Sequence, residues 1–319
     1  MQSLKISAII TAYNHEKYIS QCIDSILRQK RTFEIEVILG DDCSKDRTRQ
    51  IMQEYQQKYP EIFVLLPPAA NMGVTRNIKR CIEACSGDYI AFCEGDDYWT
   101  DSYKLQKQME FLENHPDYAL CFNAIMIYYE YEMRYMSHPE QLLLKKDTLV
   151  TEDLIESNYI GNFSCCMYRA SMVREIPKAI FDIYTVDWMF NMACSRLGRI
   201  GFIRDWMSVY RIHANGAWSG KSYLDRRRDL CQVIDSYNKF FSYEYSEQFS
   251  KLKEKVTRQY GDEYEKQVDN RSEKSSPLSL HKSKQQMNLI KKCGYLLIRS
   301  IRNPRAAYNK LRTIIINIE

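Results

Sequence analysis

The sequence lacks most of the features that would assign it to a familiar class at once. Its 319 residues include only 11 glycines and 8 prolines, which excludes a fibrous or low-complexity chain. No apolar run approaches the roughly 20 residues of a membrane-spanning helix, and the amino-terminal MQSLKISAII has no secretory cleavage site. No CxxC pair has zinc spacing, so we interpret the 11 cysteines as unpaired core thiols and expect a cytoplasmic protein.

Charge of both signs is present, but it is unevenly distributed. The chain is 45% hydrophobic with a formal net charge of +4, which excludes intrinsic disorder. Residues 1–220 carry 24 basic and 29 acidic side chains, a net charge of −5, whereas residues 221–319 carry 21 and 12, a net charge of +9. This asymmetry predicts a folded domain over residues 1–220 and a basic extension over residues 221–319.

The first half of the sequence alternates β-branched runs with segments of helical periodicity. The runs predict strands at residues 5–10, 34–39, 62–66, 89–93 and 118–127. Each of the first four is followed by apolar residues at helical spacing, and Asn14 is placed to cap the first predicted helix. This alternation indicates parallel strands joined by right-handed crossovers, and hence an open α/β sheet.

Polar residues follow the first four predicted strands, at the strand ends where open α/β sheets bind ligands. These loops lie at residues 11–14, 40–44, 71–77 and 94–99, and the second and fourth carry adjacent carboxylates. Crowded carboxylates are costly to bury without a cation, and Mg²⁺ or Mn²⁺ prefers oxygen ligands. The sequence contains neither GxxxxGKS/T nor GxGxxG, which disfavours a P-loop NTPase and a dinucleotide dehydrogenase.

Four segments in this order make the sequence resemble glycosyltransferase family 2: ISAIITAYNHEKYI, VILGDDCSKDRT, NMGVTRN and GDYIAFCEGDDYW. The resemblance covers about residues 4–220 and departs from the usual pattern at Thr11, where proline is common, and at Glu94, where aspartate is common. It implies a GT-A fold, a Rossmann-like open mixed sheet flanked by helices, here with a helical carboxy-terminal extension. It also implies a nucleotide-sugar donor, Mn²⁺ or Mg²⁺ as cofactor, and inversion at the anomeric carbon.

The resemblance assigns the donor site to residues at the strand ends. The residues it implies in nucleotide binding are Thr11, Ala12, Tyr13, Asp42, Arg76 and Asp96. Tyr13 would lie against a uracil ring and Asp42 would accept a hydrogen bond from a base N–H, which favours UDP- or dTDP-sugars. Asp97 would ligate the metal, whose role is to neutralise the departing diphosphate. His213, in the segment YRIH, would be a further metal ligand or a phosphate contact, although a buried structural histidine fits the same position.

The resemblance also implies an acceptor side. Asp187, in the segment YTVDW, would be the general base that takes the proton of the acceptor hydroxyl, and its alternative role is a helix N-cap. Two tryptophans would stack on sugar rings, and the three residues before the segment CCMYR would line the acceptor cleft. This group comprises Trp99, Asn162, Phe163, Ser164 and Trp188. The tryptophans also fit as core aromatics.

The carboxy-terminal third is basic and has a helical pattern. Residues 222–270 have helical periodicity, and residues 269–283 are polar, contain Pro277 and are interpreted as a linker. Residues 287–318 combine leucine and isoleucine with seven basic residues, which predicts a basic amphipathic helix. Such a helix can lie on the inner face of the cell membrane, which suits a lipid-linked acceptor, or it can pack on the domain or in an oligomer. Nucleic-acid binding is disfavoured because no recognised motif accompanies the charge.

We therefore expect an inverting, metal-dependent glycosyltransferase that moves a sugar from a nucleotide-diphosphate donor to a hydroxyl of a saccharide or lipid-linked acceptor. Synthesis of a cell-surface polysaccharide or glycoconjugate is the expected context. One alternative is another nucleotide-sugar enzyme, such as a nucleotidylyltransferase, which would need a glycine-rich basic loop where this chain has residues 11–14. The other alternative is a non-catalytic scaffold that docks on a membrane through its basic end.

Overall fold

The structure, a computed structural model, describes residues 4–67, 70–184 and 187–273. The chain forms two compact units, one that ends at His213 and one that begins at Ala214. The described part of the first unit contains a sheet with its connecting helices, and the described part of the second is helical.

Within the described residues, a ten-stranded open sheet forms the first unit. Its strands are β1 (Lys5–Ala12), β2 (Glu34–Asp41), β3 (Phe63–Leu65), β4 (Tyr89–Phe92), β5 (Tyr98–Trp99), β6 (Tyr118–Tyr129), β7 (Arg134–Ser137), β8 (Thr148–Leu149), β9 (Cys166–Arg169) and β10 (Arg199–Ile212). The order across the sheet is β3-β2-β1-β4-β9-β6-β10-β5, with β7 beside β6 and β8 beside β10. Strands β1 to β4 pair in parallel, as do β6 and β10, whereas β9 runs antiparallel to β4 and β6. The sheet is therefore mixed, as the family resemblance implies.

Helices connect these strands along the chain. They are α1 (Ile19–Leu27), α2 (Thr48–Lys58), α3 (Val74–Glu83), α4 (Lys104–Asn114), α5 (Pro139–Leu143), α6 (Thr151–Glu156), α7 (Ala170–Glu175) and α8 (Asp187–Ser195). Short 3-10 helices lie at Phe163–Cys165 and Lys178–Asp182. All five predicted strands are present, and their ends differ from the prediction by at most two residues.

The central strands form because their residues are buried on both faces of the sheet. In β1, Ile6, Ala8, Ile9 and Ile10 are fully buried, a pattern typical of parallel strands that are covered on both sides. One face of β1 joins a core cluster with the apolar side of α1, which includes Cys22. Burial of this apolar surface is the main favourable contribution to the stability of the sheet.

Asn14 has a different role from the one that the sequence predicts. Helix α1 begins at Ile19 and has no side-chain cap, so the prediction that Asn14 caps it is wrong. Asn14 has a φ of 58°, and its Oδ1 accepts a hydrogen bond from the backbone N–H of Lys45 at 2.8 Å. Its own N–H donates to Ser44 Oγ at 2.9 Å. Asn14 therefore ties the loop after β1 to the loop after β2.

The cysteines in the described part of the chain are free thiols, as predicted for that part. Cys22 and Cys93 have their Sγ atoms 3.5 Å apart beneath the end of β4. Burial raises the pKa of Cys22 well above its usual value, so this side chain stays a protonated core thiol.

The described part of the second unit contains two helices, α9 (Tyr223–Phe240) and α10 (Ser246–Glu273). Ser222 caps α9 by accepting a hydrogen bond from the backbone N–H of Asp225 at 3.2 Å. Because α10 continues to Glu273, the first residues of the predicted linker are helical. The predicted amphipathic helix at 287–318 lies outside the described residues. None of the helices in the described ranges combines the length and apolar character that crossing a membrane requires.

Candidate active site

The carboxyl ends of several strands meet at one edge of the sheet, which we call the carboxyl edge. β1, β2, β3 and β4 are parallel, and β6 and β10 share their direction because β9 runs antiparallel to both β4 and β6. The loops at residues 11–14, 40–44, 71–77 and 94–97 follow these strands, and His213 follows β10. The predicted donor-site residues are therefore brought to the edge at which open α/β sheets bind ligands.

Backbone hydrogen bonds hold the end of β1 between two acidic loops. The carbonyl of Ala12 accepts from the N–H of Asp42, and the carbonyl of Thr11 accepts from the N–H of Gly95, both at 2.9 Å. Ala12 is buried, whereas the next residue, Tyr13, is 40% exposed. The ring of Tyr13 is thus open to a ligand at the point where the two loops meet.

Asp42 is buried and fastens the loop before α3. Its two carboxylate oxygens accept hydrogen bonds from the backbone N–H groups of Met72 and Gly73, each at 2.9 Å. Gly73 has a φ of 82°, a left-handed backbone conformation that favours glycine. Arg76 is exposed on the first turn of α3. Asp42 therefore shapes the loop that precedes α3.

Arg80 supports the same loops, and sequence reasoning did not single it out. Its Nη2 donates to the carbonyl of Asp41 at 2.6 Å, and its Nη1 donates to the carbonyl of Pro67 at 3.0 Å. Its Nε donates to Asn77 Oδ1 at 2.8 Å. Its only sequence signal was its position one helical turn after Arg76.

Asp97 joins three segments of the chain. Its Oδ2 accepts from Asn162 Nδ2 and from Ser164 Oγ, both at 2.6 Å, and its Oδ1 accepts from the backbone N–H of Arg211 at 2.8 Å. Asp97 is 1% exposed. Burial, and then the charge of Asp96, raises its pKa well above the usual value. Both oxygens accept hydrogen bonds from protein groups, so this carboxyl group links the loop after β4 to residues 162–164 and to β10.

Asp96 faces two imidazoles. Its Oδ2 lies 3.0 Å from His213 Nε2 and 3.7 Å from His15 Nε2. Burial raises the pKa of Asp96, but the two histidines outweigh burial and the net shift is downward. Burial lowers the pKa of His15. The structure therefore pairs His213 with Asp96, the residue before the predicted metal ligand Asp97.

Glu94 and Tyr210 complete this group of interacting charges. Burial, and then the charges of Asp97 and Asp96, raises the pKa of Glu94 well above the usual value. Burial and the same carboxylates also raise the pKa of Tyr210. Tyr210 was not proposed as a site residue, and its sequence signal was its position in the segment that carries His213. Acidic groups are therefore crowded at the end of β4, and the raised pKa values of Glu94 and Asp97 show that their ionised forms are disfavoured there.

Asp187, the predicted general base, begins α8. Burial raises its pKa to about 7, and hydrogen bonds from backbone N–H groups oppose that rise. The charge of Asp187 also contributes to the raised pKa of Glu94. A carboxyl group with a pKa near 7 is suited to accept a proton at neutral pH.

The predicted acceptor residues are buried. Trp99 is 1% exposed and its indole N–H donates to the carbonyl of Ser164 at 2.9 Å. Trp188 is 9% exposed and its indole N–H donates to a backbone carbonyl at 2.6 Å. Asn162 and Phe163 are buried as well. The burial of both tryptophans does not fit stacking of a sugar on their rings. Their indole N–H groups instead bond backbone carbonyls within the protein.

The ligand set at Asp96 fits a metal ion shared with a phosphate group. Within the described residues, no group of three or more His, Cys, Asp and Glu side chains is arranged to hold a metal. Asp96 and His213 offer one carboxylate and one imidazole. Mg²⁺ and Mn²⁺ in nucleotide sites need only one or two protein ligands, because phosphate oxygens and water complete the coordination shell.

Comparison with known proteins identifies a family and several relatives. The family model described as Glycosyl transferase family 2 matches residues 7–177. An uncharacterized protein of Mycobacterium bovis is 35% identical over 223 residues, which cover 70% of this chain and 63% of that protein. The poly(ribitol-phosphate) beta-N-acetylglucosaminyltransferase TarS of Staphylococcus aureus is 32% identical over 229 residues, 69% of this chain and 38% of TarS. The chain thus spans less than two thirds of the length of these relatives.

Solved structures share the fold of the chain. S. aureus TarS 1–349 in complex with UDP-GlcNAc has a TM-score of 0.56 at 20% identity, covering 72% of this chain and 66% of that one. The mannosyltransferase PcManGT from Pyrobaculum calidifontis in complex with GDP-Man and Mn²⁺ has a TM-score of 0.54 at 14% identity, covering 74% of this chain and 64% of that one. The predicted GT-A fold is confirmed by this similarity.

Proposed function

The chain belongs to glycosyltransferase family 2, and on that basis we propose that it transfers a sugar from a nucleotide-diphosphate donor to an acceptor hydroxyl, with inversion at the anomeric carbon. The observation that carries the proposal is the charge arrangement at the end of β4. Asp96 lies against two histidines, and Asp187, with a pKa of about 7, belongs to the same electrostatic group.

The nucleotide occupies the loops after β1, β2 and β3. Tyr13 contacts the base with its exposed ring, beside Thr11, Ala12 and the loop that Asp42 fastens. The exposed Arg76 on the first turn of α3, together with the positive end of that helix, favours the phosphates. The complex of TarS with UDP-GlcNAc supports a UDP-sugar as the donor.

Asp96 and His213 would hold the Mn²⁺ or Mg²⁺ ion. The reason is that the oxygens of Asp97, the predicted ligand, already accept three hydrogen bonds from the protein. The ion supplies Lewis-acid neutralisation of the diphosphate. The Mn²⁺ in the mannosyltransferase neighbour supports this cofactor.

Asp187 acts as the general base. It takes the proton from the acceptor hydroxyl as that oxygen forms a bond to the anomeric carbon, while the bond from this carbon to the diphosphate oxygen breaks. The proton moves to the carboxylate, and the bonding electrons leave with the diphosphate. Because the bond to the leaving oxygen breaks ahead of formation of the new bond, positive charge develops on the anomeric carbon and the ring oxygen, an oxocarbenium character like that of glycoside hydrolysis.

The acceptor is a saccharide or lipid-linked hydroxyl in the synthesis of a cell-surface polysaccharide or glycoconjugate. The name of TarS, which describes transfer of N-acetylglucosamine to poly(ribitol-phosphate), supports this context. Residues 1–220 form the catalytic domain in this proposal. The basic extension, with its net charge of +9 over residues 221–319, holds a cytoplasmic enzyme against the inner face of the cell membrane.

Release of nucleoside diphosphate tests the proposal. We expect the full chain with Mn²⁺ to release UDP or another nucleoside diphosphate from at least one member of a nucleotide-sugar panel, and Asp96→Asn to lose this release. Asp117→Asn is the matched control, because Asp117 is 57% exposed and precedes β6 at the opposite edge of the sheet. Absence of release with every donor, or equal release by Asp96→Asn, would overturn the proposal.

A further inference from the structure

Three tyrosines from three strands meet at the carboxyl edge, and we call them the tyrosine strip: Tyr98 of β5, Tyr128 of β6 and Tyr135 of β7. The hydroxyls of Tyr98 and Tyr135 lie 2.9 Å apart, within hydrogen-bond distance. The rings of Tyr128 and Tyr135 have their centroids 4.6 Å apart with an interplanar angle of 34°. β5 and the consecutive strands β6 and β7 thus contribute to one aromatic surface.

Arg211 connects the tyrosine strip to the candidate active site. Its guanidinium carbon lies 5.4 Å from the ring centroid of Tyr98 and 5.5 Å from that of Tyr128. Its Nε donates to the backbone carbonyl of Asp96 at 2.8 Å. The buried guanidinium of Arg211 therefore contacts two rings of the strip and the backbone of the loop that carries Asp96 and Asp97.

Part of the strip is exposed. Tyr135 is 46% exposed and the adjacent Met136 is 38% exposed, while Tyr98 and Tyr128 are half-buried. Exposed apolar and aromatic surface beside a catalytic centre is a common mark of a binding site. Tyrosine rings also contribute contact area at a low cost in side-chain entropy.

The position of the strip in the sheet separates it from the donor loops. The nucleotide is placed on the loops after β1, β2 and β3, on one side of β4. β6, β10 and β5 lie on the other side of β4, beyond β9, and β6 ends at the same carboxyl edge. A ligand on the strip would therefore approach the centre at Asp96 from the side opposite to the nucleotide.

We propose that the tyrosine strip binds the acceptor as an uncharged saccharide, an inference that rests on the proposed function. Two phenol hydroxyls carry two protons, and their mutual hydrogen bond uses one, so a donor is left for a sugar hydroxyl. The ring faces suit the apolar C–H face of a sugar. The neighbouring cation, Arg134, is paired with Glu132 at 2.7 Å and packs on Tyr129, which favours a neutral ligand over an anionic headgroup.

A glycan array tests this proposal independently of donor chemistry. We expect the labelled full chain to bind at least one neutral saccharide, and Tyr135→Ala to bind it roughly tenfold more weakly because a stacked ring is lost. Tyr135→Phe keeps the ring but loses the hydroxyl, so we expect its affinity for the saccharide to lie between those of the wild type and Tyr135→Ala. Tyr103→Ala is the matched control, because Tyr103 is equally exposed at 46% but packs on Lys30, beyond the end of α1 and toward the opposite edge of the sheet. It should bind like the wild type.

The outcomes separate this inference from the proposed function. Equal binding by Tyr135→Ala and the wild type, binding of anionic probes only, or no binding by the wild type would each overturn the inference. Thermal stabilisation by nucleotide sugars is measured on the same samples and should survive Tyr135→Ala. Saccharide binding that depends on Tyr135, with no stabilisation by any nucleotide sugar, would support the strip and contradict the proposed function. The melting temperatures without ligand show whether each variant is folded.

Discussion

Two loops at the carboxyl edge carry the same Asp-Asp dipeptide in different surroundings. In the loop after β2, both carboxylate oxygens of Asp42 accept hydrogen bonds from backbone N–H groups. Asp41 accepts a hydrogen bond from the N–H of Ser44 at 3.3 Å and lies 3.6 Å from Arg49 Nη1. Backbone dipoles and one guanidinium therefore compensate both charges in this loop.

The loop after β4 crowds carboxyl groups whose ionised forms its own groups do not fully compensate. Asp97 accepts three hydrogen bonds, yet burial and the neighbouring charge of Asp96 still raise its pKa. Glu94 shows the same crowding, and Asp96 faces two histidines. The comparison teaches that the dipeptide fastens a loop in one case and crowds carboxyl groups beside two histidines in the other.

The largest expected effect tests whether Asp187 is the general base. Because burial raises the pKa of Asp187 to about 7, the ionised base forms as the pH rises through this value. We expect kcat/KM to rise through about pH 7 and then to level off. Asp187→Asn should lower kcat by roughly 10²- to 10⁴-fold and remove this dependence.

Two neighbouring groups, Glu94 and Tyr210, need to be distinguished from Asp187 in that experiment. Both interact with it, and the pKa of each is raised. Glu94→Gln and Tyr210→Phe should each retain a rising limb, although its midpoint can move. A limb that persists in Asp187→Asn and vanishes in Glu94→Gln would assign the base to Glu94.

The next effect concerns the binding of metal with nucleotide. At a hundredfold excess over Kd, a ligand that binds only the folded state adds about 2.7 kcal/mol to the free energy of unfolding. We expect Mn²⁺ with UDP to stabilise the wild type more than UDP alone does, and Asp96→Asn to lose this increment. Asp42→Asn should retain it. An equal increment in all three proteins would place the metal elsewhere.

The third prediction concerns stability without ligands. Asp42→Asn replaces one acceptor oxygen by an amide that cannot accept from a buried N–H, so we expect a loss of about 1–3 kcal/mol in the free energy of unfolding. Asp96→Asn should lose less, because the attraction of its charge to two histidines is partly offset by burial and by the neighbouring carboxyl groups of Glu94 and Asp97. Chemical denaturation measures both values. A greater loss in Asp96→Asn than in Asp42→Asn would reverse the comparison between the two loops.

Strands β1 to β4 and β6 were predictable because each is an apolar run of strand length. Residues 5–10 are β-branched and lie between other strands, so local preference and burial agree. The short antiparallel β9 was not predictable in this way. Its four residues have no periodicity of their own, and its place between β4 and β6 depends on contacts distant in sequence.

The charged loop was predictable from the sequence, but the division of roles within it was not. Asp96 and Asp97 are adjacent in sequence, and contacts with residues such as Asn162, Ser164 and His213 distinguish them. These contacts join residues that lie more than 60 positions apart in the chain. Trp99 illustrates the same limit, since its burial is decided by the tertiary structure and not by the neighbouring sequence.

The smallest expected effect tests whether the hydrogen bonds of Asp97 hold the loop at residues 94–97 in position. Ser164 Oγ donates to Asp97 Oδ2 at 2.6 Å and accepts from the backbone N–H of Glu94 at 2.9 Å. Ser164→Ala removes both hydrogen bonds, so we expect a loss of about 1 kcal/mol in the free energy of unfolding and a modest fall in kcat.

Ser208→Ala is the matched control, because Ser208 is equally buried and bonds Asn123 instead of a carboxylate. It should lower stability to a similar extent and leave kcat unchanged. If both variants lower kcat equally, the hydroxyl of Ser164 contributes only to packing. A fall in kcat that is confined to Ser164→Ala, with KM for the donor unchanged, means that the hydrogen bonds of Asp97 position Asp96 for the chemical step.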